Sequence, residues 1–256
     1  MDPQRRSMVL NLGDFFFRWR SYLPLLLVPI LGVAISTTQY RFASHSADVM
    51  WEISTLTLAV VGLALRAWTV GVAAPGTSGR NTRRQKATTL NTTGPYSMVR
   101  HPLYLANGLI VLALALFPHT WLAAPVVASM AAGYYACIAM REEAFLRQEF
   151  GIRFEEWAAR VPAFIPRVSL YRPAPRAFDF RVVVRREFYG LAVILVTPVA
   201  IEMMEQFAEH RTFAFNPIWT ATALGGVATF VVGRTLKKQR GSRGDDGKLA
   251  QPRHVR

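Results

Sequence analysis

Arg100-His101-Pro102 and, about forty residues on, Glu142-Glu143 are the stretches of this sequence best equipped for chemistry. They supply a guanidinium, an imidazole and two adjacent carboxylates, and the local sequence says where these stand. Residues 88–108, TTLNTTGPYSMVRHPLYLANG, form a polar, turn-rich approach that becomes apolar at once after Pro102. Proline fits the first turn of a helix, where its missing N–H costs nothing. The helix that follows, residues 103–117, is apolar enough to enter a bilayer. Arg100 and His101 therefore sit where a membrane helix meets the water layer, and with Glu142 and Glu143 they mark a cofactor site.

Two helices must bring these groups together. The apolar runs 103–117 and 121–140 are joined only by a few residues around Pro118, too few for anything but an antiparallel hairpin. The start of the first run, with Arg100, His101 and Tyr104, then lies beside the end of the second, with Arg141, Glu142 and Glu143. Counting from the turn at 1.5 Å per helical residue sets the carboxylates about 10 Å beyond Pro102, level with the 88–99 loop. An acidic pair is ordinarily a solvated helix face. Here Phe145 and Leu146 lie within a turn of it, and carboxylates in so basic a region serve no topological need.

The hairpin belongs to a membrane protein. Of 256 residues 52% are hydrophobic and mean hydropathy is +0.20. Apolar runs at 22–38, 53–74, 103–117, 121–140, 188–204 and 217–233 approach the ~20 residues that cross ~30 Å of hydrocarbon. The expected fold is all-α: a polytopic transmembrane protein of about six spans with a short helical cap on the cytoplasmic side. A net charge of +14 looks like a nucleic-acid signal until its distribution is read. Of the 30 Lys and Arg, 27 precede the first run, follow the sixth, or lie between the second and third or the fourth and fifth. That alternation is the positive-inside rule; it places both termini in the cytoplasm and leaves nucleic acid out of the partners.

The chain divides into an N-terminal pair of spans (1–74), a core of loop, hairpin and cap (75–186), a second pair of spans (187–236) and a disordered basic tail (237–256). Arg66 stands inside the second span, about two turns from its inner boundary. An ionisable residue there faces a partner or snorkels to the surface, and it is a candidate for holding an anionic substrate group. The loop around Gly76–Gln85, with Arg80 and Asn81, is dense in donors suited to a phosphate or carboxylate, though a solvated linker has the same composition. After the acidic pair, Phe145, Leu146, Phe150, Phe154, Trp157 and Val161 recur at helical spacing, and then Pro162, Pro166, Pro173 and Pro175 break regular structure. This segment is suited to lie on the headgroup layer over the site. The fifth and sixth spans read as ordinary apolar faces. The single cysteine, Cys137, allows no internal disulfide, and no metal site is expected.

The ordered set Gly94-Pro95-Tyr96, Arg100-His101-Pro102-Leu103-Tyr104, Glu142-Glu143, Phe150-Gly151, Trp157, Val161-Pro162 and Ile165-Pro166 resembles the isoprenylcysteine carboxyl methyltransferase and phospholipid methyltransferase family of integral membrane enzymes. The resemblance covers about residues 62–166. The chain departs from the pattern in having Ala106 where a glycine is usual, and Phe154 and Trp157 where tyrosines are usual. The loop 76–85 lies outside the general pattern, which allows a substrate other than prenylcysteine.

The resemblance implies S-adenosylmethionine as methyl donor. Arg100 and His101 would hold its carboxylate, Glu142 or Glu143 its ammonium or ribose hydroxyls, and Tyr104 would line the pocket toward the sulfonium. The loop carrying Leu90, Thr92, Gly94 and Tyr96 would contact the adenine. Arg66, Arg80 and Asn81 would position the acceptor, with Arg100, Glu142 and Arg66 nearest the reaction. Transfer to an oxygen anion needs alignment more than proton removal, whereas an amine must also lose a proton. No dedicated base stands out in the spans, which favours a lipid-borne carboxylate or phosphate over an amine headgroup. The enzyme would lie in the cytoplasmic membrane, or the endoplasmic reticulum of a eukaryote, with its site facing the cytoplasm. The rival is a non-enzymatic helical membrane subunit or transporter. Transporters gather polar groups near the midplane of repeated halves; here they gather at one face and no internal repeat is evident.

Overall fold

A computed structural model describes residues 45–74, 88–119, 123–212 and 217–249, with isolated residues between 12 and 33. The expected first span (22–38) and the loop bearing Arg80 and Asn81 fall almost entirely outside the described residues. Among the described residues six α-helices carry the fold: α1 (His45–Val72), α2 (Pro102–Leu116), α3 (Ala123–Phe150), α4 (Ile152–Arg160), α5 (Phe180–His210) and α6 (Pro217–Leu249). Among the described residues there is no strand, only one bridge between Gly94 and Arg172.

Three of these helices are long and apolar enough to cross a membrane: Ser46–Val72 within α1, α3, and Phe180–Ala208 within α5. At 15 residues α2 is the short apolar helix its sequence suggested. The expected sixth span falls on α6, where Thr220, Thr222, Thr229 and a Gly225-Gly226 pair dilute the apolar run before Arg234. Its helix continues to Leu249, beyond Lys237, where a disordered tail was expected. Extending a helix is far easier than nucleating one, which carries it through Gly241, Gly244 and Gly247.

α1, α2 and α5 pack against one another, with α3 added beside α2 and α6 beside α5. Ala59 of α1, Ile110 and Ala113 of α2 and Ile194 of α5 form the buried centre where the three helices meet. α1 and α2 approach closely because Gly62 meets the fully buried Ala106, the position where the family pattern has glycine. Close approach through small residues is how helices associate in lipid, where no hydrophobic effect drives them together. A Cβ on Gly62 would lie 2.8 Å from the Ala106 carbonyl and from Ile110 Cγ1. Gly62→Val is therefore expected to cost about 1–3 kcal/mol, seen as a lower midpoint of thermal unfolding in detergent.

At the site end α3 runs on through Glu142-Glu143 to Phe150, longer than its span requires. The apolar spacing read across 145–161 as one amphipathic helix is in fact broken at Gly151, whose φ of 53° only glycine adopts without strain. The chain turns there into α4, which lays Phe154, Trp157 and Val161 against Leu146 and Phe150 of α3 and against Leu90 and Tyr96 of the loop. A strap of residues 161–179 then leads back to α1 and into α5.

Candidate functional site

Pro102 opens α2, and the two residues before it leave the helix axis, His101 at φ −122° and ψ 61°. Their backbone is held from above by the strap. The Arg100 N–H donates to the Pro162 carbonyl at 2.8 Å and the His101 N–H to that of Ala163 at 3.2 Å. With the main chain fixed, the side chains turn toward α3. His101, almost wholly buried, donates from Nε2 to Glu143 Oε1 at 2.9 Å; a carboxylate can only accept, so that nitrogen carries the proton. Arg100 Nε lies 3.2 Å from the same oxygen, and Nη1 donates to the Ala158 carbonyl of α4 at 3.1 Å. The sequence-derived height of the carboxylates needs correcting: Glu143 meets Arg100 and His101 themselves, next to Pro102. The chain leaves the helix axis before Pro102, and the long Arg100 and Glu143 side chains span the remaining height.

The two glutamates differ. Glu143 is only 16% exposed and saturated by two basic partners; Glu142 is 35% exposed, with Oε2 3.8 Å from His101 Nδ1. Next to them the rings line up, Tyr104 stacked on His101 at 5.5 Å and Tyr135 of α3 stacked on Tyr104 at 5.7 Å, with Phe164 of the strap tilted against His101 at 5.6 Å. Burial, and after it the nearby Glu142 carboxylate, push the Tyr96 phenol well above its ordinary value, so it stays a neutral hydroxyl and serves as no base.

The loop residues divide. Leu90 packs into the apolar cluster under α4. The Gly94 N–H donates to the Arg172 carbonyl at 2.8 Å, and the Tyr96 carbonyl accepts from Trp157 Nε1 at 3.2 Å. Those two backbone groups are taken by the cap, so an adenine contact through them would have to displace it. Thr92 is half-buried in the same loop.

Arg66 has its own partners, separate from the Arg100–Glu143 ion pair. Its Nε and Nη2 grip Glu187 of α5 at 2.6 and 3.0 Å in a two-pronged ion pair, and Nη1 donates to Asn107 of α2. An anionic group arriving at Arg66 would meet a carboxylate already in place. Glu187 is 5% exposed, so the fifth span is not the ordinary apolar face that the sequence suggested. Sequence reasoning missed Glu187, Asn107 and Tyr135. The available signal was polarity: Asn107 follows Tyr104 by three residues on one face of an otherwise apolar helix, and Glu187 opens an apolar run. Among the described residues no group of three or more His, Cys, Asp or Glu is set to hold a metal ion.

The family model described as phospholipid methyltransferase matches residues 51–153, from α1 to the start of α4. The chain is 43% identical over 88 residues to the cobalt-zinc-cadmium resistance protein CzcN of Cupriavidus metallidurans, a match covering 34% of this chain and only 40% of that protein. It is 34% identical over 165 residues to the nickel-cobalt-cadmium resistance protein NccN of Alcaligenes xylosoxydans xylosoxydans, covering 63% of this chain and 71% of that protein. No solved structure matches it.

Proposed function

The chain belongs to the phospholipid methyltransferase family, and from that premise we propose that it transfers a methyl group from S-adenosylmethionine to a lipid-borne acceptor at the membrane surface. The observation that carries the reading is the convergence of Arg100, His101, Glu142 and Glu143 on one corner between α2 and α3. The donor set fits an amino-acid end bearing a carboxylate and an ammonium. Arg100 Nε is buried and lies 3.2 Å from Glu143 without hydrogen-bonding geometry, so a ligand carboxylate would bind by taking Arg100 over from that ion pair. Glu142 and His101 Nδ1, 3.8 Å apart, are near enough to share an ammonium or a ribose hydroxyl.

When bound, the cofactor supplies an electrophilic methyl group on a sulfonium. Tyr104, stacked on His101, and Tyr135, stacked on Tyr104, would line the corner with aromatic carbon and keep water from that charge. Glu143 orients His101 and Arg100, while α4 and the strap close the corner from the aqueous side. Because the chemistry is a direct displacement, holding the partners in line supplies most of the acceleration. The distribution of basic residues favours the cytoplasm for this end of the bundle and for both termini.

The preference for an oxygen anion rested on the lack of a base within the spans. Glu187 is a buried carboxylate there, but both its oxygens are held by Arg66, so the preference for an oxygen anion stands, with an amine headgroup as the alternative. Arg80 and Asn81 of the cytoplasmic loop between the second and third spans remain proposed acceptor contacts. The relatives' names speak of resistance to cobalt, zinc, cadmium and nickel; we read such resistance as a cellular effect of an altered membrane lipid.

Titration calorimetry of the purified chain with S-adenosylmethionine tests the reading. His101→Ala is expected to weaken binding by about 10- to 100-fold, since it removes an imidazole and frees Glu143 to collapse on Arg100. No binding by the parent protein would favour a non-enzymatic subunit. Mass spectrometry of lipid extracts made with and without the protein would then identify the methylated species.

A further inference from the structure

The strap between α4 and α5 exposes large apolar side chains where a water-facing segment should not. Ile165 is 81% and Val168 73% exposed, and Tyr171, Phe178 and Phe180 also face outward. Between them stand exposed Arg167, Arg172, Arg176 and Arg181, against a single acid, Asp179. The strap is pinned at a definite height. The Tyr171 ring lies 5.8 Å from Trp68 of α1, Phe178 covers Gly71, and the Asp179 N–H donates to the Gly71 carbonyl at 2.9 Å. Trp68 and Gly71 belong to the last turns of the membrane-length helix Ser46–Val72, so the exposed rings stand where that helix leaves the hydrocarbon. Aromatic rings and arginines at that level match the two layers of a membrane interface, the acyl boundary and the phosphates.

We propose that residues 164–181 are a docking surface for anionic lipid headgroups, and that docking holds the Arg100-His101 corner in its working position. The coupling is covalent geometry plus hydrogen bonds. The strap fixes the loop through Pro162 to Arg100 and Ala163 to His101, through the Arg167 N–H donating to the Met98 carbonyl at 2.9 Å, and through Arg172, which pairs with Gly94 and donates its N–H to Ser97 Oγ at 2.9 Å. Phe164 touches the His101 ring itself. A soluble acidic partner would have to occupy the level at which the bilayer surface already lies. The docking half stands on geometry and charge alone; the coupling half rests on the methyl-donor reading.

The test uses the full chain with Cys137→Ser and a single spin label on Ile165→Cys or Val168→Cys, reconstituted in nanodiscs of phosphatidylcholine with and without phosphatidylglycerol. Gln148→Cys, exposed on α3, is the aqueous control. Labels at 165 and 168 are expected to collide severalfold less with an aqueous nickel chelate than the control, and more with oxygen, most strongly in the anionic discs. Arg167→Gln/Arg172→Gln/Arg176→Gln should erase the difference between the two discs. Labels as accessible as the control, or equally immersed in both discs, would overturn the docking proposal. In the same discs phosphatidylglycerol should tighten S-adenosylmethionine binding severalfold, and the triple variant should lose that gain. Docking with equal cofactor affinity in both discs would refute the coupling. Docking with no cofactor binding in any disc would leave the lipid surface standing and remove the methyl-donor reading.

Discussion

Glu187→Ala is expected to destabilise the protein by about 3–5 kcal/mol, a fall in unfolding midpoint on the order of 10 °C. The size follows from what is left behind. Arg66 and Glu187 are paired through two contacts, and their side chains are 15% and 6% exposed. Removing the carboxylate leaves a guanidinium inside a membrane helix with Asn107 as its remaining partner among the described residues, and such a charge is expensive wherever lipid replaces water. Three helices meet at this pair, so the loss also loosens α5 from α1 and α2. Replacing both partners by apolar residues, Arg66→Met with Glu187→Met, should restore most of the midpoint, because a buried pair is worth little net once its desolvation is counted. Thermal unfolding of the two single variants and the double in detergent measures this. A double variant no more stable than Glu187→Ala would show that the pair is held for something other than charge compensation.

How far this was legible in the sequence depends on how far apart the partners lie along the chain. The meeting of His101 with Glu143 followed from one short turn, since two helices joined so briefly have no other arrangement. The helices themselves followed from the length of their apolar runs. Arg66 was visible as an oddity, but its partner lies 121 residues away, and no local pattern says that α5 folds back beside α1 rather than beside α3. Where a lone buried charge is found, the sequence poses the question and only the packing answers it.

The cap was half legible for a related reason. Side-chain periodicity carried the burial of Phe154 and Trp157 through to the structure, because burial is written in residue type. It could not carry the break at Gly151, which depends on one backbone angle, or the strap's grip on the loop, which runs mostly through main-chain N–H and carbonyl groups common to every residue. The adenine contacts expected of Gly94 and Tyr96 met the same limit. Sequence names which side chains are available but not which backbone groups are already bonded.

The adjacent glutamates give the sharpest separation of binding from structure. Glu142→Gln is expected to weaken S-adenosylmethionine binding by about 10- to 100-fold while leaving the unfolding midpoint unchanged, because a charge-assisted hydrogen bond to ligand is worth about 1.5–3 kcal/mol and Glu142 is the open carboxylate. Glu143→Gln should act on both. It keeps an acceptor for His101 Nε2 but removes the negative charge facing Arg100, so the corner loses its order before any ligand arrives. The comparison is internal, since the residues are neighbours on one helix and the substitution conserves shape. Calorimetric affinity and unfolding midpoint, measured on both variants, decide it. If Glu142→Gln binds like the parent while Glu143→Gln alone loses affinity, the assignment is reversed: the buried carboxylate would leave its basic partners to meet the ligand, and the open one would be an ordinary solvated side chain.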